Sequence, residues 1–351
     1  MKGGKILSKK KNACIIKPAL KCKNSKKNKK KSITKIVHGN NSKNITEHEF
    51  YINSIIKNIK NYLKWSIVVD TLCEPPDFNK SLKLDKSIQD CFDFDIKYSE
   101  NLYNDTAKLL TSKYGGITLK EYFNKNPTNT EKKFLDLMNK LKNILFGLKI
   151  LNENNISHND IKSDNIVVKN NTFKIIDFGI SSLINNYKSF DNRSYKEFNT
   201  DRFYLTYPPE FIYSNLNDND IEYELKNYKF IKNFSKLSDL YKMLFNIDLD
   251  NYLYEFLISY KTFDINELNQ LHSKLDVYSF GIMIINLFYK NNLLTNDSLM
   301  IREFFYLFTN MCNPNYLNRL DINKSYELFT SLLKKYKKKK KSTKKKKVTK
   351  K

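Results

Sequence analysis

No aspartate or glutamate precedes Glu47 and none lies in residues 334–351, whereas residues 1–46 hold 15 lysines and residues 334–351 hold 13. The formal charge of +25 is therefore a poor average. The 34 remaining basic residues face all 37 acids, so the body between the two cationic segments is close to neutral. Cysteine is scarce and unpatterned. Cys14, Cys22, Cys73, Cys91 and Cys312 are odd in number, widely spaced and without a CxxC pair. That argues against a disulfide framework or a zinc site and for free thiols in a reducing compartment. Long apolar runs are also missing. The best one, Phe280–Phe288, contains Gly281 and Asn286 and reads as a buried helix, not a membrane span. Pro18 and further lysines interrupt the amino-terminal stretch where a signal peptide needs continuous apolar residues, so the chain reads as intracellular. There is no internal repeat.

What is present is globular: 40% apolar and 14% aromatic residues over 351 positions, enough for one large bilobal domain or two smaller ones. The run 334–351 holds too little apolar surface to fold and is expected to be a disordered tail. Nucleic acid, anionic lipid or an acidic protein are the partners such polybasic ends could hold, beside the plain role of a solvated tail. A second lysine cluster, residues 21–32, is expected to be an exposed loop between strands.

Lys5-Ile6-Leu7 and Ala13–Leu20 flank a polar turn at Ser8–Asn12, predicting two antiparallel strands. Ile33–Val37 is a further β-branched run. From Glu47 to about Tyr62, Phe50, Ile52, Ile55, Ile56 and Ile59 form a helical stripe. Residues 92–110 are expected to supply more strands, and Tyr114-Gly115-Gly116 breaks the pattern as a connector. Beyond it the character turns helical. Thr130 caps a helix through Glu153, Leu275–Phe288 makes another, and Ser325–Leu333 a last one. Short strands at 166–168 and 173–176 deliver Asp177.

Residues 158–165 read His-Asn-Asp-Ile-Lys-Ser-Asp-Asn, and Asp177-Phe178-Gly179 begins twelve residues later. Phosphoryl transfer needs a carboxylate to orient a hydroxyl, an amide ligand for one metal ion and a second carboxylate for another. Asp160, Asn165 and Asp177 are those residue types at that spacing. With them stand Tyr207-Pro208-Pro209-Glu210, Lys274–Gly281 and Asn318-Arg319-Leu320. Together these blocks resemble the eukaryotic-type protein kinase family. Gly3–Leu7, Lys17–Cys22 and the Tyr114-Gly115-Gly116 connector are similar, within it, to kinases of large nucleocytoplasmic DNA viruses.

The resemblance implies an α+β, bilobal protein-kinase-like fold: a strand-rich N-lobe over residues 1–113, then a hinge and mainly helical C-lobe over 114–333, followed by the basic tail. It implies a serine/threonine protein kinase using ATP with Mg²⁺ or Mn²⁺ on Ser/Thr hydroxyls of protein substrates, placed in a host cytoplasm, viral factory or virion. Asp160 and Lys162 become the catalytic pair, and Asn165 and Asp177 the metal ligands. Lys35 becomes the phosphate-binding strand lysine and Glu49 its helix partner, with Glu47 in reserve. Val167 and Ile15 or Ile16 become the apolar walls of the adenine site, while His158 buttresses the loop. A Glu210–Arg319 pair is implied as a structural brace. Two departures matter. The family's glycine-rich turn falls on Ser8–Cys14, which holds no glycine, and Asn159 replaces the arginine that grips a phosphorylated activation segment. Ser181, Ser182, Ser189, Ser194 and Thr200 are therefore not expected to switch activity through that contact. The first departure supports an alternative, a pseudokinase scaffold with weak or no transfer. Residues 211–273 read as an insertion with extra helices at Leu240–Phe245 and Leu253–Tyr260.

Overall fold

The computed structural model describes all residues but 1–4, 11, 24–30, 85, 93–95, 129, 187–204, 209–233, 261, 294–297 and 349–351. The chain forms two compact units. One comprises Met1–Gly116 with Lys174–Gly179, the other Ile117–Phe173 with Ile180–Lys351.

The first unit is built on a five-stranded antiparallel sheet in the order β1-β2-β3-β5-β4. The strands are β1 Lys5–Lys10, β2 Ala13–Lys17, β3 Ser32–Val37, β4 Val69–Cys73 and β5 Lys108–Lys113. The first turn is tighter than the sequence predicts, because Ser8, Lys9 and Lys10 continue the ladder opposite Ile15, Cys14 and Ala13. Alternation sorts β2 between two faces. Cys14 and Ile16 enter a core with Ile36, Phe78, Phe92, Tyr103 and Leu109, while Ile15 faces the other way. Helix α1 runs Ser42–Asn58, five residues ahead of the expected start, and turns Thr46, Glu49, Ile52, Asn53 and Ile56 inward. Asn53 fixes its position, accepting from the Val69 N–H (2.9 Å) on β4.

Two expectations fail in this unit. Residues 92–110 are mostly helical: after α2 (Phe78–Leu84) comes α3 (Ile96–Thr106), and only β5 is a strand. Ser99, Leu102, Tyr103 and Thr106 recur at helical spacing, a stripe too polar to stand out in sequence, and the buried Tyr103 hydroxyl donates to Ser81 (3.0 Å). The cysteines are not all free. Cys14 is bonded to Cys91 and Cys22 to Cys73, with only Cys312 a buried free thiol. Sequence spacing missed the pairs because partners 77 and 51 residues apart meet only through the folded sheet and its flanking helices. The inference of a reducing compartment from cysteine spacing falls with it.

The second unit is mainly helical. It begins with β6 (Ile117–Thr118) and α4 (Leu119–Lys125), then α5 (Glu131–Glu153), where the Thr130 hydroxyl accepts from the Lys133 N–H (3.3 Å). Short β7 (Ile156–Ser157) leads into the polar loop. Strand β8 (Ile166–Lys169) follows, and Asn170 and Asn171, both at positive φ, lead into β9 (Thr172–Ile175), whose last two residues belong to the first unit. Val167 lies buried on β8 opposite Thr118. β10 (Ser182–Leu183) pairs with β7. Of the insertion, residues 211–233 lie outside the described residues; the rest forms α6 (Phe234–Phe245), α7 (Leu249–Tyr260) and α8 (Ile265–Ser273).

Helix α9 (Leu275–Lys290) is buried on almost every side, and α10 (Leu299–Met311) crosses it at Gly281, where a β-carbon would stand 2.9 Å from the Phe308 carbonyl. Phe134, Phe288, Phe304, Phe308 and Phe329 pack around this crossing, mostly edge-on or tilted, with Phe304 stacked on Phe308. The last helix, α11, runs Ile322–Val348, so the lysine-rich segment from Lys334 continues it. Lysine is a good helix former, and Tyr336 anchors the continuation by donating to Glu303 (2.9 Å). Arg319 is buried over the Tyr278 ring and donates to the Asn313 and Pro314 carbonyls. Glu210, its expected partner, lies outside the described residues, as do Ser189, Ser194 and Thr200. No helix among the described residues is long and apolar enough to cross a membrane.

His272 on α8 gives a stability prediction. Its ring is buried, with Nδ1 3.2 Å from the Ile184 carbonyl, and burial pushes its pKa down to about 4. The unfolded ring titrates near 6.5, so its stabilising contribution is complete above that pH and is lost as pH falls toward 4. The full loss is about 3 kcal/mol. Urea titrations at pH 7 and pH 4.5 are expected to show a steeper fall for the native chain than for His272→Gln.

Candidate active site

Two groups of polar side chains stand out, one in each unit. In the first unit, Lys35 projects from β3, Glu49 from the buried face of α1, and Asp177 follows β9 at φ +65°. The Lys35 Nζ lies 2.8 Å from Glu49 Oε2 and 2.7 Å from Asp177 Oδ1. Lys10, at the end of β1, brings a second ammonium 3.6 Å from Asp177 Oδ2. Burial works against the charge on Lys35, but Asp177 and Glu49 outweigh it and hold its pKa above the usual lysine value. Burial raises the Glu49 carboxyl, with Lys35 pulling the other way. Removing Lys35 would strand the buried Glu49 carboxylate.

Neighbours fix this group further. Ile15 is the cross-strand partner of Lys35 and shares its face of the sheet, whereas Ile16 belongs to the core behind. Glu47 is exposed on the outer side of α1, so Glu49 is the acid that meets Lys35. Phe178 is buried, and a β-carbon at Gly179 would stand 3.0 Å from Glu49 Oε2, so the small residue keeps that carboxylate in place.

In the second unit the loop after β7 is tied from within. Asn165 Nδ2 donates to Asp160 Oδ2 (2.7 Å) and to the Asp160 carbonyl (2.9 Å), and Lys162 Nζ lies 2.7 Å from Asp160 Oδ1. All three side chains are buried or nearly so. His158 Nδ1 accepts from the Asp160 N–H (3.2 Å), a buttressing position. Beneath the loop, Asp276 from the first turn of α9 accepts from the N–H groups of His158 (2.6 Å) and Asn159 (2.9 Å). Burial raises the pKa of Asp276, and these donors and His158 oppose the shift. Asn159 sits at φ +63°, a left-handed conformation asparagine tolerates better than most residues. Its amide accepts from Ser157 Oγ (2.6 Å) and donates to Ser182 Oγ (2.7 Å) and the Ile180 carbonyl (3.2 Å), while Ser181 donates to the His158 carbonyl (3.2 Å). The segment after Gly179 is thus laced to the loop by neutral hydrogen bonds.

The structure therefore brings Lys35, Glu49 and Asp177 together in one unit and Asp160, Lys162 and Asn165 in the other. Sequence reasoning passed over the bracing role of Asp276 and the network around Asn159. A lone acid heading a helix otherwise almost wholly apolar was the available signal for Asp276. Nothing in the sequence marks which partners Asn159 takes.

Each group carries an oxygen donor of the kind hard divalent cations take: a carboxylate on Asp177 in the first unit and, in the second, the amide oxygen of Asn165, whose nitrogen is committed to Asp160. Among the described residues no cluster of three or more His, Cys, Asp or Glu forms an all-protein cage. Magnesium accepts that situation readily, since it keeps waters and phosphate oxygens as its other ligands.

Comparison with known proteins adds two findings. Residues 82–224 match the protein kinase domain family. A stretch of 51 residues is 45% identical to a protein of Acanthamoeba polyphaga mimivirus named as a serine/threonine-protein kinase, covering 14% of this chain. The match spans about a tenth of that relative's length (10%).

Proposed function

We propose that this chain, which resembles the eukaryotic-type protein kinases and shares a stretch with a kinase-named mimivirus protein, transfers the γ-phosphoryl group of ATP to serine or threonine hydroxyls of proteins. The observation that carries the reading is the buried Asp160–Lys162–Asn165 network, which holds a carboxylate in one orientation. Asp160 orients the acceptor hydroxyl and takes its proton. Lys162 compensates charge on the transferring group. Glu49 keeps the Lys35 ammonium on the face of the sheet where it meets phosphate oxygens. Asn165 and Asp177 are the proposed ligands of Mg²⁺ or Mn²⁺. Bound metal–ATP supplies the phosphoryl group and the positive charge that its oxygens require.

A second reading has one observation in its favour. The β1–β2 turn lacks glycine, whose freedom at positive φ lets backbone amides approach phosphate closely. On that reading the chain is a pseudokinase that binds nucleotide without efficient transfer. Purified full-length protein with Mg²⁺ or Mn²⁺ and γ-labelled ATP separates the two. Label on Ser/Thr of the chain itself or of a basic protein, lost in Asp177→Ala, supports the kinase. Label unchanged in that variant reveals a contaminant and removes the assignment. A metal-dependent thermal shift by ATP with no transfer selects the pseudokinase.

A further inference from the structure

A cavity of about 490 Å³ opens in the second unit beside the Asp160–Lys162 pair. It is bounded by α4, residues 162–164, Leu205-Thr206 and the last turns of α9. Met283 and Leu287 in its lining are buried, forming an apolar floor, whereas Lys120 and Lys290 are exposed at its edge. Lys120 and Lys290 bring two ammonium groups against one carboxylate, Asp164, with Lys162 also in the lining. Lys120 reaches Asp164 at only 3.7 Å with both side chains more than half exposed, a weak contact in water. Lys162 gives its charge to Asp160. Lys290 also serves the carbonyl end of α9, as lysines in last turns do, but here that end forms a cavity wall.

We propose that this cavity selects protein substrates bearing a carboxylate or phosphate close to the acceptor hydroxyl. The inference rests on the phosphoryl-transfer reading and names the substrate class for it. An apolar floor under a cationic rim suits an extended peptide whose anionic side chain reaches the lysines while its neighbours cover Leu287. Because Lys162 is part of the wall, that anionic residue lies within about four positions of the acceptor, at about 3.3 Å per extended residue.

The test uses full-length protein at physiological salt and four single-serine peptides that differ only in flanks: glutamate, phosphoserine, alanine or lysine. Transfer is read as kcat/KM, and binding without ATP by fluorescence anisotropy. Both acidic peptides are expected to exceed the alanine peptide by about fivefold, with the lysine peptide last. Comparing glutamate with phosphoserine distinguishes the two anions. Lys120→Glu/Lys290→Glu is expected to reverse the order, and the milder Lys290→Ala to flatten it. An unchanged order in the charge-reversed protein would place the attraction elsewhere, such as the lysine-rich ends, and overturn the proposal. Equal handling of lysine and glutamate flanks would do the same. Absence of transfer to every peptide counts against the kinase reading alone, since the anisotropy order still decides the preference.

Discussion

Asp160→Asn is expected to lower phosphoryl transfer by about 10²–10⁴-fold, the range for loss of a positioned general base. The substitution keeps shape and volume, so the bond from Asn165 can persist, but an amide cannot take a hydroxyl proton. Lys162 meanwhile loses a carboxylate at 2.7 Å in a nearly buried setting, so some stability goes too. The two effects are separable. Circular dichroism and a melting curve report the folded fraction, and single-turnover transfer reports the chemistry within it. A variant that is merely less stable, with undiminished transfer per folded molecule, would take Asp160 out of the reaction.

Reduction of the disulfides is the second large effect. Cys14–Cys91 closes a span of 77 residues and Cys22–Cys73 one of 51 inside it, both within the first unit. By chain-entropy reasoning, the first cross-link stabilises by about 4 kcal/mol and the nested one adds less. Thiol reductant is therefore expected to lower the melting temperature by about 10 °C, and Cys14→Ser/Cys91→Ser to reproduce most of that shift without reductant. If mass spectrometry after alkylation finds all five cysteines as thiols in the native protein, the cross-links are absent in solution and no shift should follow.

Much of the candidate site was legible because its chemistry is local. Asp160, Lys162 and Asn165 lie within six residues, and their spacing alone places them on one loop. Glu49 was readable from helical periodicity, standing three and seven residues before Ile52 and Ile56 on the inward face. Lys35 was readable from its β-branched neighbours. What stayed hidden depends on contacts between distant segments. The cysteine pairs, the Asp276 brace under His158 and Asn159, and the cavity beside Lys162 all join segments that sequence distance separates. The helix at Ile96–Thr106 was lost for another reason, since its inward stripe includes Ser99 and Thr106 and carries little hydrophobic signal. Asn159 is an intermediate case. Its identity was plain, but not that it would clasp Ser182 and the Ile180 carbonyl directly.

That clasp bears on how residues 180–182 are held. A latch made of uncharged amides and hydroxyls closes as the polypeptide folds, and it needs no added charge to stay shut.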